Sequence, residues 1–224
     1  MRNVIVAAVI LAGLAACAST PSTRALVVRA APTVSEFRFD DTPALYDARD
    51  FGPWAAMSAN NAAEAAALER CIADRDACDG GHLLRYRRLL ELAAELPREE
   101  QLELVQEYFN AIDQKLQRAG ADDWASLYRV AATNEGDCKA IALAKYFTLR
   151  RLGFEAEDLR LVMEWDDRED DWHALLAVRG AEGTYMLDSI LGLQEPRSFP
   201  FAYMVYSISE NGIWDHAPDF VPVP

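Results

Sequence analysis

Three residues in the second half of the chain are of types that together perform acyl transfer: Cys138 in Gly136-Asp137-Cys138, His173 in Trp172-His173-Ala174, and Asp188 closing Tyr185-Met186-Leu187-Asp188. A thiol attacks a carbonyl only as thiolate, which the partial positive charge of a helix N-terminus and a neighbouring imidazolium both favour. A carboxylate on the far ring nitrogen would fix the tautomer of the imidazole and stabilise its charged form, completing a nucleophile, a base and an orienter. The backbone N–H of Cys138, at a helix start and without an intrahelical acceptor, is a natural oxyanion donor. Each residue alone has a plainer reading: Cys138 as a small apolar cap of a buried helix, His173 as a satisfied strand-end histidine, Asp188 as a strand-terminating turn residue. Trp124 reads as packing, and the acidic run Asp166 to Asp171 as a solvated loop.

The elements must bring the three together. Ala140 to Ala144 is wholly apolar, so the helix opened by Cys138 is expected to be wrapped by other elements. After Gly153 the period changes to two, and 159–165, 172–180 and 184–190 read as antiparallel strands, with 199–208 a further strand and 212–224 an irregular tail. A hairpin centred on Ala181 and Glu182 pairs residues whose numbers add to 363, so Leu175 faces Asp188 with His173 its diagonal neighbour on the same side of the sheet. A slip of one residue would destroy that relation.

Before the cysteine, helices are expected over 62–71, 82–96 (stopped by Pro97) and 98–116, with 120–136 a loop holding a short turn. Helices first and strands afterwards is the α+β order. No internal repeat is visible.

Arg2 followed by the apolar run from Val4 to Ala16 reads as an export signal, too short to span a bilayer. Leu14-Ala15-Ala16-Cys17 resembles the processing site of bacterial lipoproteins, which implies residues 1–16 as signal, Cys17 as the lipidated residue, and an outer-membrane anchor facing the periplasm. Residues 17–48, rich in Ala, Pro, Ser and Thr, then read as a tether, and 49–224 as one domain. Export also bears on Cys71 and Cys78, which an oxidising compartment pairs as a closed turn. A metal site built from Cys71, Cys78 and His82 lacks a fourth nearby ligand. The 36 acidic against 22 basic residues argue against a nucleic-acid surface, which needs clustered positive charge.

The residues quoted carry a family resemblance. Gly136, Asp137 and Cys138, then Ala142, Lys145, Leu149, Leu152 and Gly153, then His173 and Asp188, resemble the pattern of the bacterial transglutaminase-like cysteine proteinases, a branch of the papain and transglutaminase fold; Trp124 and the Cys71 to Cys78 pair match it too. The resemblance implies an α+β fold with a central cysteine-bearing helix on an antiparallel sheet, a catalytic Cys138, His173 and Asp188, and a protein or peptide substrate in the cell envelope. Transglutaminase or amidase chemistry would use the same triad. Where the family carries two acids after the cysteine, here stand Lys139 and Ala140; Ser189 replaces an asparagine and Leu127 a proline. No cofactor is expected, and calcium, which serves some members, is in doubt because an ammonium and a methyl replace two carboxylates. The same departures leave a second reading open, a lipid-anchored binding module that keeps the fold without turnover.

Overall fold

The computed structural model describes residues 37, 39, 44–114, 124–166, 171–181, 183–190, 192–194 and 202–216. The expected signal, Cys17 and most of the expected tether lie outside them. Among the described residues no helix is long and apolar enough to cross a membrane.

The order is α+β. α1 (Gly52–Ala73) buries Trp54, Met57, Leu68 and Cys71. It begins ten residues before the expected start: Pro53 presets the first turn, and the alanines that follow favour helix without marking an apolar stripe. α2 (Gly81–Ala93) buries Leu83, Tyr86, Leu89 and Ala93. α3 (Arg98–Asn110) buries Leu102, Val105 and Phe109 together with Gln101 and Gln106. It stops six residues short of the expected end, because the chain leaves the helix to pair β1 (Asp113–Gln114) in parallel with β2 (Glu135–Gly136). The stretch expected to be loop contains α4 (Leu127–Thr133), capped by Ser126 and closed by Asn134 in the left-handed region, φ 58°. Its seven residues are too few to show a period.

α5 (Cys138–Arg151) is the central helix, with Cys138 through Tyr146 all buried. Arg150 and Arg151 occupy its negative end. Gly153, φ 86°, closes it: Gly153 N–H donates to Arg150 O and Phe154 N–H to Leu149 O, the paired bonds of a left-handed helix stop.

Six antiparallel strands follow: β3 (Leu159–Asp166), β4 (Asp171–Arg179), β5 (Thr184–Asp188), β6 (Gly192–Gln194), β7 (Ala202–Ser209) and β8 (Gly212–Asp215), in the order β6-β5-β4-β3-β7-β8. β8 corrects the expectation of an irregular tail from Gly212; it pairs Ile213 with Ile208 and buries Ile213 and Trp214. The β4–β5 ladder pairs Leu176 with Leu187, Ala177 with Met186 and Val178 with Tyr185, the register expected from the turn. α5 packs on β4 and β3.

Both faces of the sheet are covered. Leu159, Leu161, Met163, Ala174, Leu176, Val178 and Leu187 join the large core with the helices. The alternate positions, Val162, Leu175, Ala177, Met186 and Met204, cluster with Phe37 and Phe39, and Tyr46 bridges to Ile213. Phe37, Phe39 and Ala48 are therefore part of the packed domain although they fall within the stretch read as tether.

Candidate active site

Cys138 is the first residue of α5 because Asp137 caps it. Asp137 has extended backbone, φ −81° and ψ 177°; its Oδ1 accepts from Ala140 N–H at 2.7 Å, and its carbonyl accepts from Ile141 N–H at 2.9 Å. Gly136 allows the approach, since a Cβ there would stand 3.3 Å from both Ala140 Cβ and Ile141 Cγ1. The sulfur thus sits where the helix dipole is most positive. Cys138 is 3 % exposed, and its reduced thiol is the candidate nucleophile.

His173 and Asp188 come together as their register demands. Nε2 of His173 lies 3.1 Å from Oδ1 of Asp188, leaving Nδ1 of the ring for another partner. Burial disfavours the imidazolium, but the hydrogen bond and charge of Asp188, joined by Glu164 and Asp166, outweigh it and raise the His173 pKa above its ordinary value. The same Asp188 oxygen accepts from Ile190 N–H at 2.6 Å, so the residue also ends its strand as a turn former. His173 and Asp188 continue the alternate positions of their strands, while Cys138 enters from the helix layer.

Behind Asp188 stands a buried polar frame that sequence reasoning missed. Gln106 Nε2 and Asn110 Nδ2 of α3 donate to its carbonyl at 2.5 and 3.0 Å. Lys145 Nζ of α5 donates to Asn110 Oδ1 at 2.9 Å and to Leu187 O at 3.4 Å. Burial lowers the Lys145 pKa to about 7, with the Asp188 charge working against the shift. Gln106 and Asn110 stand four apart beside the apolar stripe of α3 and Lys145 interrupts a buried one, but nothing local in the sequence joins the three. Glu164 is buried on β3 opposite His173, where the alternating pattern marks no more than a strand position.

The other candidates resolve plainly. Cys71 and Cys78 are disulfide-bonded to each other across seven positions, which removes the metal alternative with His82. His82 contacts Arg85, and His216 Nε2 lies 2.8 Å from Ser207 Oγ. Trp124 is packing: its ring meets Phe51 at 5.5 Å, and the ammonium of buried Lys139 lies 5.2 Å from its centroid. A concavity of about 380 Å³ between α1 and the C-terminal half of α5 contains none of Cys138, His173 and Asp188.

A hard cation needs six or more oxygens. Lys139 and Ala140 bring no carboxylate, and Glu164, His173 and Asp188, whose ligand atoms lie within 4.8 Å of one another, offer one ligand atom each.

The model of the bacterial transglutaminase-like cysteine proteinase family matches residues 59–210. Solved structures of Legionella pneumophila LapG share the fold. The calcium-bound form is 24% identical with a TM-score of 0.60 over 67% of this chain and 88% of LapG. A second LapG structure is 25% identical at 0.60, covering 68% and 90%. The EGTA-treated form is 25% identical at 0.59, covering 66% and 85%. No curated protein matches the chain.

Proposed function

We propose that this chain, which belongs to the bacterial transglutaminase-like cysteine proteinases, hydrolyses a peptide bond in a cell-envelope protein through Cys138, His173 and Asp188. The observation that carries the reading is the 3.1 Å bond between His173 Nε2 and Asp188 Oδ1, which reserves Nδ1 for a thiol. The family match over residues 59–210, which includes all three residues, supports it.

In this reading the Cys138 thiolate attacks the scissile carbonyl and the oxyanion is met by the Cys138 N–H. The tetrahedral species collapses to a thioester as His173 gives its proton to the departing amine. His173 then takes a proton from water, whose oxygen displaces the sulfur and releases the carboxylate product. An amine in place of water would give transamidation from the same thioester. We assign the substrate to the periplasm and the chain to a lipid anchor at Cys17 on the strength of the export and processing signals at its start.

The test is alkylation of the reduced protein by iodoacetamide at pH 6, with each cysteine mapped by peptide mass. A Cys138 adduct that forms in the native chain and is lost in His173→Ala marks an activated thiol. No adduct, or equal labelling of both, favours the binding module. Comparing the lengths of periplasmic proteins between native and Cys138→Ala cells then finds the substrate.

A further inference from the structure

The triad accounts for one carboxylate beside His173, and the fold supplies a second. Glu164 of β3 lies directly opposite His173 of β4 and is 5 % exposed. One carboxylate oxygen of Glu164, one ring nitrogen of His173 and one carboxylate oxygen of Asp188 all lie within 4.8 Å of one another. The β3–β7 ladder shifts register between Met163 and Glu164, where β7 carries one extra residue, Val205, and Glu164 pairs with Met204. Neighbouring positions on its face are apolar: Val162, Leu175 and Met204. A carboxylate in such surroundings is stabilised by positive charge nearby, and the ring of His173, which can carry one, stands opposite it.

The charged groups around His173 are mostly acids. Asp188 faces it from β5, Glu164 and Asp166 from β3, and Asp171 stands two residues before it on β4. Lys145 of α5 reaches the Leu187 carbonyl and acts on Asp188. Arg160, four positions from Glu164 on β3, stacks on Trp214 at 3.5 Å. Because Asp188 occupies Nε2 and the thiol needs Nδ1, Glu164 acts on the ring by its charge and leaves Nδ1 to the sulfur.

We propose that Glu164 is a positioning residue for the reaction: it holds the His173 imidazolium from the β3 side as Asp188 holds it from β5, so the thiolate–imidazolium pair survives to higher pH. The role rests on the Cys138, His173 and Asp188 reading.

NMR titration of the reduced chain tests it without needing turnover. There are three histidines, so His82 and His216 serve as internal controls. Glu164→Gln is expected to lower the His173 midpoint by about one pH unit with the controls unmoved, and Glu164→Asp by an intermediate amount. The alkaline limb of kcat/KM should fall by the same interval, with KM unchanged and activity on the acid side within about twofold. A folded Glu164→Gln chain whose His173 midpoint does not move overturns the proposal. Should Glu164→Gln fail to fold, Glu164→Asp decides on the same criterion. A chain without proteolytic activity would sink the triad reading while leaving the titration to judge Glu164.

Discussion

His173 Nε2 and Asp188 Oδ1 stand 3.1 Å apart although the residues are fifteen positions apart in the chain, and a single hairpin register makes the contact. Asp188→Asn keeps the shape of the side chain but presents an amide where the ring must donate, and it removes the charge that favours imidazolium. The kcat of that variant should fall by about 10³-fold or more, and its alkaline limb should move to lower pH. A kcat within tenfold of the native value, measured on the substrate found by the Cys138→Ala comparison, would remove Asp188 from the mechanism.

That register was legible because parity in a hairpin is a hard constraint: the turn between Gly180 and Gly183 sets the pairing, and the pairing sets which side chains share a face. The helix start at Cys138 was legible for a similar reason, since Asp137 followed by an apolar run marks a cap and a buried helix. The polar frame of Gln106, Asn110 and Lys145 was not, because it joins α3, α5 and β5 across long stretches of chain and no local pattern reports it. Glu164 escaped because a carboxylate at an alternating strand position normally faces water, and only coverage of the second sheet face turns it inward. α4 and β8 were missed as elements too short to show a period.

Asp137 has a structural duty separable from its place beside the nucleophile. Its carboxylate satisfies Ala140 N–H at the mouth of α5. Asp137→Ala should cost about 1 kcal/mol, seen as a Tm lower by about 2–4 °C, whereas Asp137→Asn should retain most of the stability. Calorimetry on the two variants checks this; equal losses would mean that charge matters there more than the hydrogen bond.

The Cys71–Cys78 disulfide closes a short loop between α1 and α2. Constraining so small a loop contributes about 2 kcal/mol through the unfolded chain. Cys71→Ser with Cys78→Ser should therefore lower stability by that order in urea without changing the iodoacetamide rate at Cys138. A large loss of Cys138 reactivity in this variant would tie the loop to the site.

Lys145 carries a pH signature that its burial dictates. Its folded pKa is about 7 against an ordinary 10.5, so between those values the unfolded chain holds a proton that the folded chain has shed. Stability gained from this group therefore rises with pH across that window, at about 1.4 kcal/mol per unit, and is flat below it. His173 works in the opposite sense: its raised pKa contributes stability below its unfolded value of 6.5, lost as pH climbs through the folded value. Lys145→Met removes the first dependence and leaves the second. Measured by urea unfolding, the stability of the native chain minus that of Lys145→Met should grow by about 3 kcal/mol from pH 7 to 9.5. A difference that stays constant over that range would mean that Lys145 keeps its proton inside the fold, with Asp188 and Asn110 holding the charge against burial.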